Sequence, residues 1–190
     1  MINPRTGEVE TRPAKDSRWW DRNRDTVFYS LPPISGLSSD RRPFSTRSLS
    51  GKIYVASFFG PDCDSICLKV AGQLNRVQDI FGPMPDVVIL SYTDSLNVAS
   101  SIFRNFEVQA GKWLLVQPDT LKSSFVGEQY YRIKQRPVTG RKGETFTLYE
   151  GLVLIDKEGH IRGFYNGTDK TDVDRLILEI RVLRDVYAKP

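Results

Sequence analysis

Two nearly continuous apolar runs, KIYVASFF over 52–59 and DVVILSY over 86–92, constrain this chain more than any other feature. Runs of that kind suit strands covered on both faces. Between them Ile66, Cys67, Val70, Ala71, Leu74, Val77 and Phe81 recur at three- and four-residue steps, which predicts an amphipathic helix closed by Gly82-Pro83. A strand, a helix and a second buried strand make a βαβ unit.

The pattern continues downstream. Leu96, Ala99, Ile102, Phe103 and Phe106 mark another helix, WLLVQ (113–117) a strand, and 119–133 a further helical stretch. GLVLID (151–156), the turn KEGH and IRGFYNG (161–167) read as an antiparallel hairpin. Val173, Leu176, Ile177, Ile180, Leu183 and Tyr187 define a last helix, with Thr168, Asp169 or Thr171 available as its cap. Upstream, VFYSLPPISGLSSDRRPFS, starting at Val27, reads as a hairpin around a Pro/Gly/Ser-rich turn. The order implies an α/β fold: a mixed central sheet flanked by helices, with an N-terminal hairpin. Thioredoxin-like proteins have this order.

The chain divides into a polar tail over 1–26 and a domain over 27–190. The tail lacks periodicity, and its Trp19-Trp20 pair suits docking on the domain surface rather than a membrane, since no amphipathic helix surrounds it. Nine basic and six acidic side chains in residues 1–48 account for +3 of the net +4, so the remainder is nearly neutral. That mild excess, without a clustered basic stripe, argues against nucleic-acid binding. No stretch is apolar for the roughly 20 residues that span a bilayer. MINPRTGEVETRPAK has no signal-peptide core, so the sequence fits a soluble chain or one whose anchor lies elsewhere.

The two cysteines, Cys63 and Cys67, are the only ones, and they stand in GPDCDSIC at the head of the first helix. Residues four apart on a helix face the same way, so their sulfurs converge, partly exposed. The helix N-terminus favours the thiolate. Two buried, inert thiols would need a packing site that the Gly-Pro-Asp loop does not offer. A structural zinc needs four ligands and an iron–sulfur cluster about four thiolates. Cu(I), which accepts two or three soft ligands, and a metal-free dithiol/disulfide pair both remain. No Gly-rich phosphate motif follows any strand, and VTGRKGET (138–145) reads as a flexible loop.

GKIYVASFFGPDCDSIC, the helix ending QLNRVQDIFG, the strand VVILSYTD and the segment LVLIDKEGHIRGFYNG together resemble the Sco/SenC family. These are thioredoxin-fold copper chaperones that serve assembly of the dinuclear copper site of cytochrome c oxidase. An N-terminal anchor holds them outside the cytoplasmic membrane or in the mitochondrial intermembrane space. The resemblance covers roughly residues 27–187, and its specific parts are the C-x-x-x-C block and the LID–EG–IRG–Y–G hairpin. It implies that Cys63 and Cys67 ligate copper, preferentially Cu(I). It also implies an oxidase copper-site subunit or another copper protein as partner, and a thiol reductant. The tail would then lead toward a membrane anchor, with the domain extracytoplasmic, and the protein would be a carrier rather than an enzyme.

One family feature is missing. The family's third copper ligand, a His before the LID strand, is replaced here by Leu148, with Tyr149 and Glu150 beside it. The sole histidine, His160, follows that strand, and six or more residues at about 3.3 Å each put it roughly 20 Å from the thiols. Its expected role is that of an exposed turn residue. Glu150 and Tyr149 are hard donors poorly matched to Cu(I), and Met84 at the far end of the cysteine helix is expected to pack. Copper affinity should therefore be weakened. The alternative is a thiol–disulfide oxidoreductase or redox sensor using Cys63 and Cys67 without metal. The cis-proline position of thioredoxins, however, holds Tyr149-Glu150-Gly151, and the nearest proline is Pro137. A module without either activity is the third possibility.

Overall fold

A computed structural model describes residues 30–60, 65–97, 103–133, 136–139, 145–148 and 150–188, with the backbone alone for 136–139 and 145–148. Trp19 and Trp20 lie outside the described residues. The strands are β1 (Ser35–Ser38), β2 (Pro43–Ser45), β3 (Ile53–Phe59), β4 (Val87–Thr93) and β5 (Trp113–Pro118). They continue as β6 (Arg136–Thr139), β7 (Thr145–Leu148), β8 (Gly151–Ile155) and β9 (Ile161–Asn166). The long helices are α1 (Ser65–Phe81) and α2 (Lys170–Ala188).

Seven strands form one mixed sheet in the order β2-β1-β5-β4-β3-β8-β9. β3 and β4 run parallel from Ile53↔Val87 to Phe59↔Thr93, and β5 joins β4 in parallel from Ile89↔Trp113. β8 enters antiparallel to β3, with Tyr54 opposite Ile155 and Ala56 opposite Val153. This is the thioredoxin-like arrangement read from the element order. Every residue of β3 and β4 is buried, which is why both runs lack polar alternation.

Alternate residues of β3 serve opposite cores. Ile53, Val55 and Phe59 pack with Val70 and Leu74 of α1 and with Leu176 and Ile180 of α2. Tyr54, Ala56 and Phe58 pack on the other face with Val126, Tyr131 and Ile133. Each helix therefore turns its apolar stripe to the sheet. Asp169 caps α2 by accepting from the Thr171 amide at 2.8 Å, and Met84 packs against the core just past α1, both as expected.

Four readings change. The N-terminal hairpin lies at Ser35–Ser38 and Pro43–Ser45 rather than starting at Val27, because β1 finds a partner in β5, with Leu37 opposite Gln117. Ser30 instead bridges His160. Helix within 119–133 is confined to Ser123–Phe125 and a wider π turn over Val126–Tyr130, and the stretch ends with Arg132 at a φ of 57°. Of the expected loop over 138–145, Val138, Thr139 and Thr145 lie in strands, since β6 and β7 pair antiparallel with Arg136 opposite Leu148 apart from the main sheet, and 140–144 lie outside the described residues. Of the helix expected from Leu96 to Phe106, residues 96, 97 and 103 are helical, Phe106 lies beyond it, and 98–102 lie outside the described residues.

Candidate functional site

β3 ends at Phe59 and α1 opens at Ser65, so the C-x-x-x-C motif starts between them and ends within the helix. Cys67 lies on the first turn of α1. Cys63 lies outside the described residues. The side chain of Cys67 is buried at 3% exposure, not partly exposed as its place near a loop suggests. The reason is its helical phase: it shares a face with Val70, Ala71 and Leu74 and belongs to the same core cluster. Its sulfur is disulfide-bonded, and the sequence holds one other cysteine.

Residues that no sequence motif announced shape the strand ends around this helix. Asp94 follows β4 directly, and its Oδ1 accepts from the Ser123 amide at 2.6 Å. The buried Ser123 hydroxyl donates to the Phe59 carbonyl at 3.4 Å. The short helical segment is thereby tied to the ends of both central parallel strands. Phe59 also packs edge-on against Phe103, with ring centroids 5.4 Å apart.

The start of β8 approaches from the other side. The Gly167 amide donates to the Glu150 carbonyl at 2.6 Å. A Cβ at Gly167 would stand 3.0 Å from that carbonyl oxygen and 3.2 Å from Cγ1 of Val70, one turn beyond Cys67. A side chain here would force Glu150, Leu152 or Val70 to give by a few tenths of an ångström, so the glycine keeps β8 and α1 close. An open groove of about 510 Å³ adjoins this point, lined by Arg132, Ile133, Glu150, Leu152, Phe164 and Tyr165. Leu148 ends β7 opposite Arg136, and Tyr149 lies outside the described residues.

His160 sits at the opposite end of β8. It is not the exposed turn residue expected, for only 20% of its side chain is exposed. Asp156 draws it in. One carboxylate oxygen accepts from the Glu158 and His160 amides, both at 2.9 Å, while the other faces Arg162 Nε and His160 Nδ1, the latter at 3.6 Å. Asp156, Glu158 and His160 form a three-donor cluster among the described residues, but the turn amides and Arg162 already occupy the Asp156 carboxylate. The cluster fixes the turn.

Behind the site, three buried tyrosines converge. The Tyr131 hydroxyl lies 3.1 Å from that of Tyr92 and 3.4 Å from that of Tyr54. Burial pushes the Tyr54 hydroxyl up to about 12, partly offset by its bond to Tyr131, and raises Tyr92 and Tyr131 as well.

No family model matches the chain. A curated relative, the SCO1 protein homolog of Bacillus subtilis, is 21% identical over 167 residues, covering 83% of this chain and 84% of the relative. Among solved structures, the SCO1/SenC family lipoprotein of Bacillus anthracis superposes with a TM-score of 0.68 at 19% identity, covering 83% of this chain and 96% of that one. Bradyrhizobium japonicum ScoI, solved with copper bound, superposes with a TM-score of 0.60 at 15% identity, covering 82% and 99%. These matches establish the fold and support the Sco/SenC resemblance read from the sequence. Among the described residues, no helix is long and apolar enough to cross a membrane.

Proposed function

We propose that this chain is a Sco/SenC-type copper carrier, using Cys63 and Cys67 as its copper-binding thiols in assembly of the cytochrome c oxidase copper site. The observation that carries the reading is Cys67 itself. It heads α1 behind β3, in a chain whose fold matches a Sco protein solved with copper bound and a member of the Sco family of cytochrome c oxidase assembly proteins. Two thiolates at a helix N-terminus suit Cu(I), which accepts low coordination and soft sulfur. Copper is the cargo here.

The oxidised sulfur sets the order of events. A thiol reductant delivers two electrons and two protons to the disulfide, leaves as its own disulfide, and frees two thiols. Both protons depart as Cu(I) binds. With Leu148 where the family keeps its third ligand, retention is weaker, and an acceptor such as the oxidase copper-site subunit can withdraw the ion. The domain works outside the cytoplasmic membrane, held by an anchor.

One observation favours a second reading, a thiol–disulfide oxidoreductase or redox sensor: Cys67 is already paired in a disulfide. Copper retention after reduction, measured by competition against a Cu(I) chelator beside an insulin-reduction assay, separates the two. The carrier retains copper and reduces insulin poorly. Brisk insulin reduction without retained copper promotes the redox protein.

A further inference from the structure

Leu178, at 57% exposure, and Val186, at 49%, are the two most exposed large apolar side chains among the described residues. They stand eight positions apart on α2, with the half-buried Val182 midway, so all three line one stripe along about 12 Å of helix. The stripe faces away from the sheet, which α2 covers with Val173, Leu176, Ile180 and Leu183. Arg181 and Asp185 flank it, both exposed, and neither makes an ion pair among the described residues. These side chains in line, with Arg181 and Asp185 beside them, offer an apolar strip that a covering segment can bury.

The chain's own N-terminal segment starts from the right place. Ser30 bridges His160, and the Leu31 amide donates to the Gly159 carbonyl at 3.3 Å, so the described chain begins at the β8–β9 turn. The last turn of α2 meets that same turn. The Tyr187 hydroxyl donates to Glu158, and Lys157 Nζ lies 5.2 Å from the Tyr187 ring. The Val186 end of the stripe therefore lies beside Tyr187, which reaches the same β8–β9 turn that holds Ser30 and Leu31.

We propose that the tail segment Arg18–Arg22, through Trp19 and Trp20, covers the Leu178–Val182–Val186 stripe. Nine residues lie between Trp20 and Ser30, and the ten steps reach at most about 33–36 Å, which exceeds the length of the stripe. Asp21 and Arg22 beside the tryptophans carry the charges that Arg181 and Asp185 lack. Two indoles bury large apolar area at small cost in side-chain entropy. The contact fixes the tail along the face opposite the sheet, and so sets how the domain hangs from whatever precedes it.

The test uses the full chain and its tryptophan emission. Trp113 is buried and common to all samples, and a Trp19→Phe/Trp20→Phe variant supplies its signal for subtraction. The remaining emission should be blue-shifted, protected from acrylamide and independent of protein concentration. Leu178→Asp/Val186→Asp, both at surface positions, should shift it toward that of indole in water and raise quenching several-fold. The milder Leu178→Ser/Val186→Ser should move it part way. Water-like emission in the unmodified chain overturns the proposal, as does emission that ignores the stripe variants. Protection that appears only as concentration rises assigns the stripe to a second copy, and protection only with anionic vesicles assigns the tryptophans to a bilayer. Either result also overturns it.

Discussion

Ala56 and Val153 pair across the antiparallel boundary between β3 and β8, and that register decides which end of β8 meets the cysteine helix. β3 runs toward the cysteines, so the first residues of β8 lie beside them and the last lie at the far edge. Glu150 falls at the near end and Asp156 at the far end. Both ends are closed by backbone: the Gly167 amide holds Glu150, and the His160 amide holds Asp156.

His160→Ala should leave copper uptake unchanged. His160 sits beyond the far end of β8 and is held to Asp156. Chelator competition on the reduced variant checks this, and the same sample should melt lower because the turn loses a fixing contact.

Tyr131→Phe should destabilise the domain by about 1–3 kcal/mol, because it strands the buried hydroxyls of Tyr54 and Tyr92 together. Tyr54→Phe leaves the Tyr131–Tyr92 bond intact and should cost only about 0.5–1.5 kcal/mol. Urea unfolding of the two variants ranks them. Phenolate absorbance should show the buried trio still protonated where exposed tyrosines ionise. Their raised values stabilise the fold below the ordinary tyrosine range, and that support is lost as pH rises through the folded values.

Acid should remove a different contribution. Burial alone would raise Asp86, but the Arg184 hydrogen bond and charge outweigh it and hold the carboxyl below its ordinary value of 3.8. Asp172 behaves alike, burial being outweighed by the Asn166 amide at 2.6 Å and by Arg175. Depressed values mean stability that is present above the ordinary carboxylate range and lost as pH falls through the folded values. Asp86→Asn should therefore lower the melting temperature at about pH 7 and have little effect at about pH 2.

Much of this fold was legible in the sequence because its central strands are buried on both faces. IYVASFF and VVILSYT carry no polar alternation to confuse the reading, and α1 and α2 show plain helical periods. β1 is hard to place from sequence because Ser35-Gly36-Leu37-Ser38 has one large apolar residue and its partner β5 lies far along the chain. The β6–β7 hairpin carries its pairing in backbone bonds rather than in apolar pattern. At the site the cysteine motif is visible, but the Gly-Pro-Asp loop before it argues against the burial that the helical phase of Cys67 announces. Asp94 and Ser123 left no signal, since a carboxylate capping a distant amide has no spacing rule. The partial burial of His160 leaves no sequence signal, because only tertiary structure shows Asp156 gripping its turn.

Leu148→His should strengthen Cu(II) binding, by placing an imidazole where the sequence resemblance expects the third ligand. The backbone at Leu148 already pairs with Arg136, so the substitution leaves the β6–β7 register unchanged. A blue-green absorbance band from sulfur–copper charge transfer should intensify relative to the unmodified chain, with Cu(I) uptake kept. An unchanged spectrum would place the alignment of this hairpin in error.

Copper stoichiometry of the fully reduced protein tests the central claim most directly. Chelator competition followed by metal analysis should find about one Cu(I) per chain, with Cys63→Ser and Cys67→Ser each abolishing uptake, since two soft sulfurs are the minimum set. Full copper retention in either serine variant, or none in the reduced unmodified chain, would contradict the account.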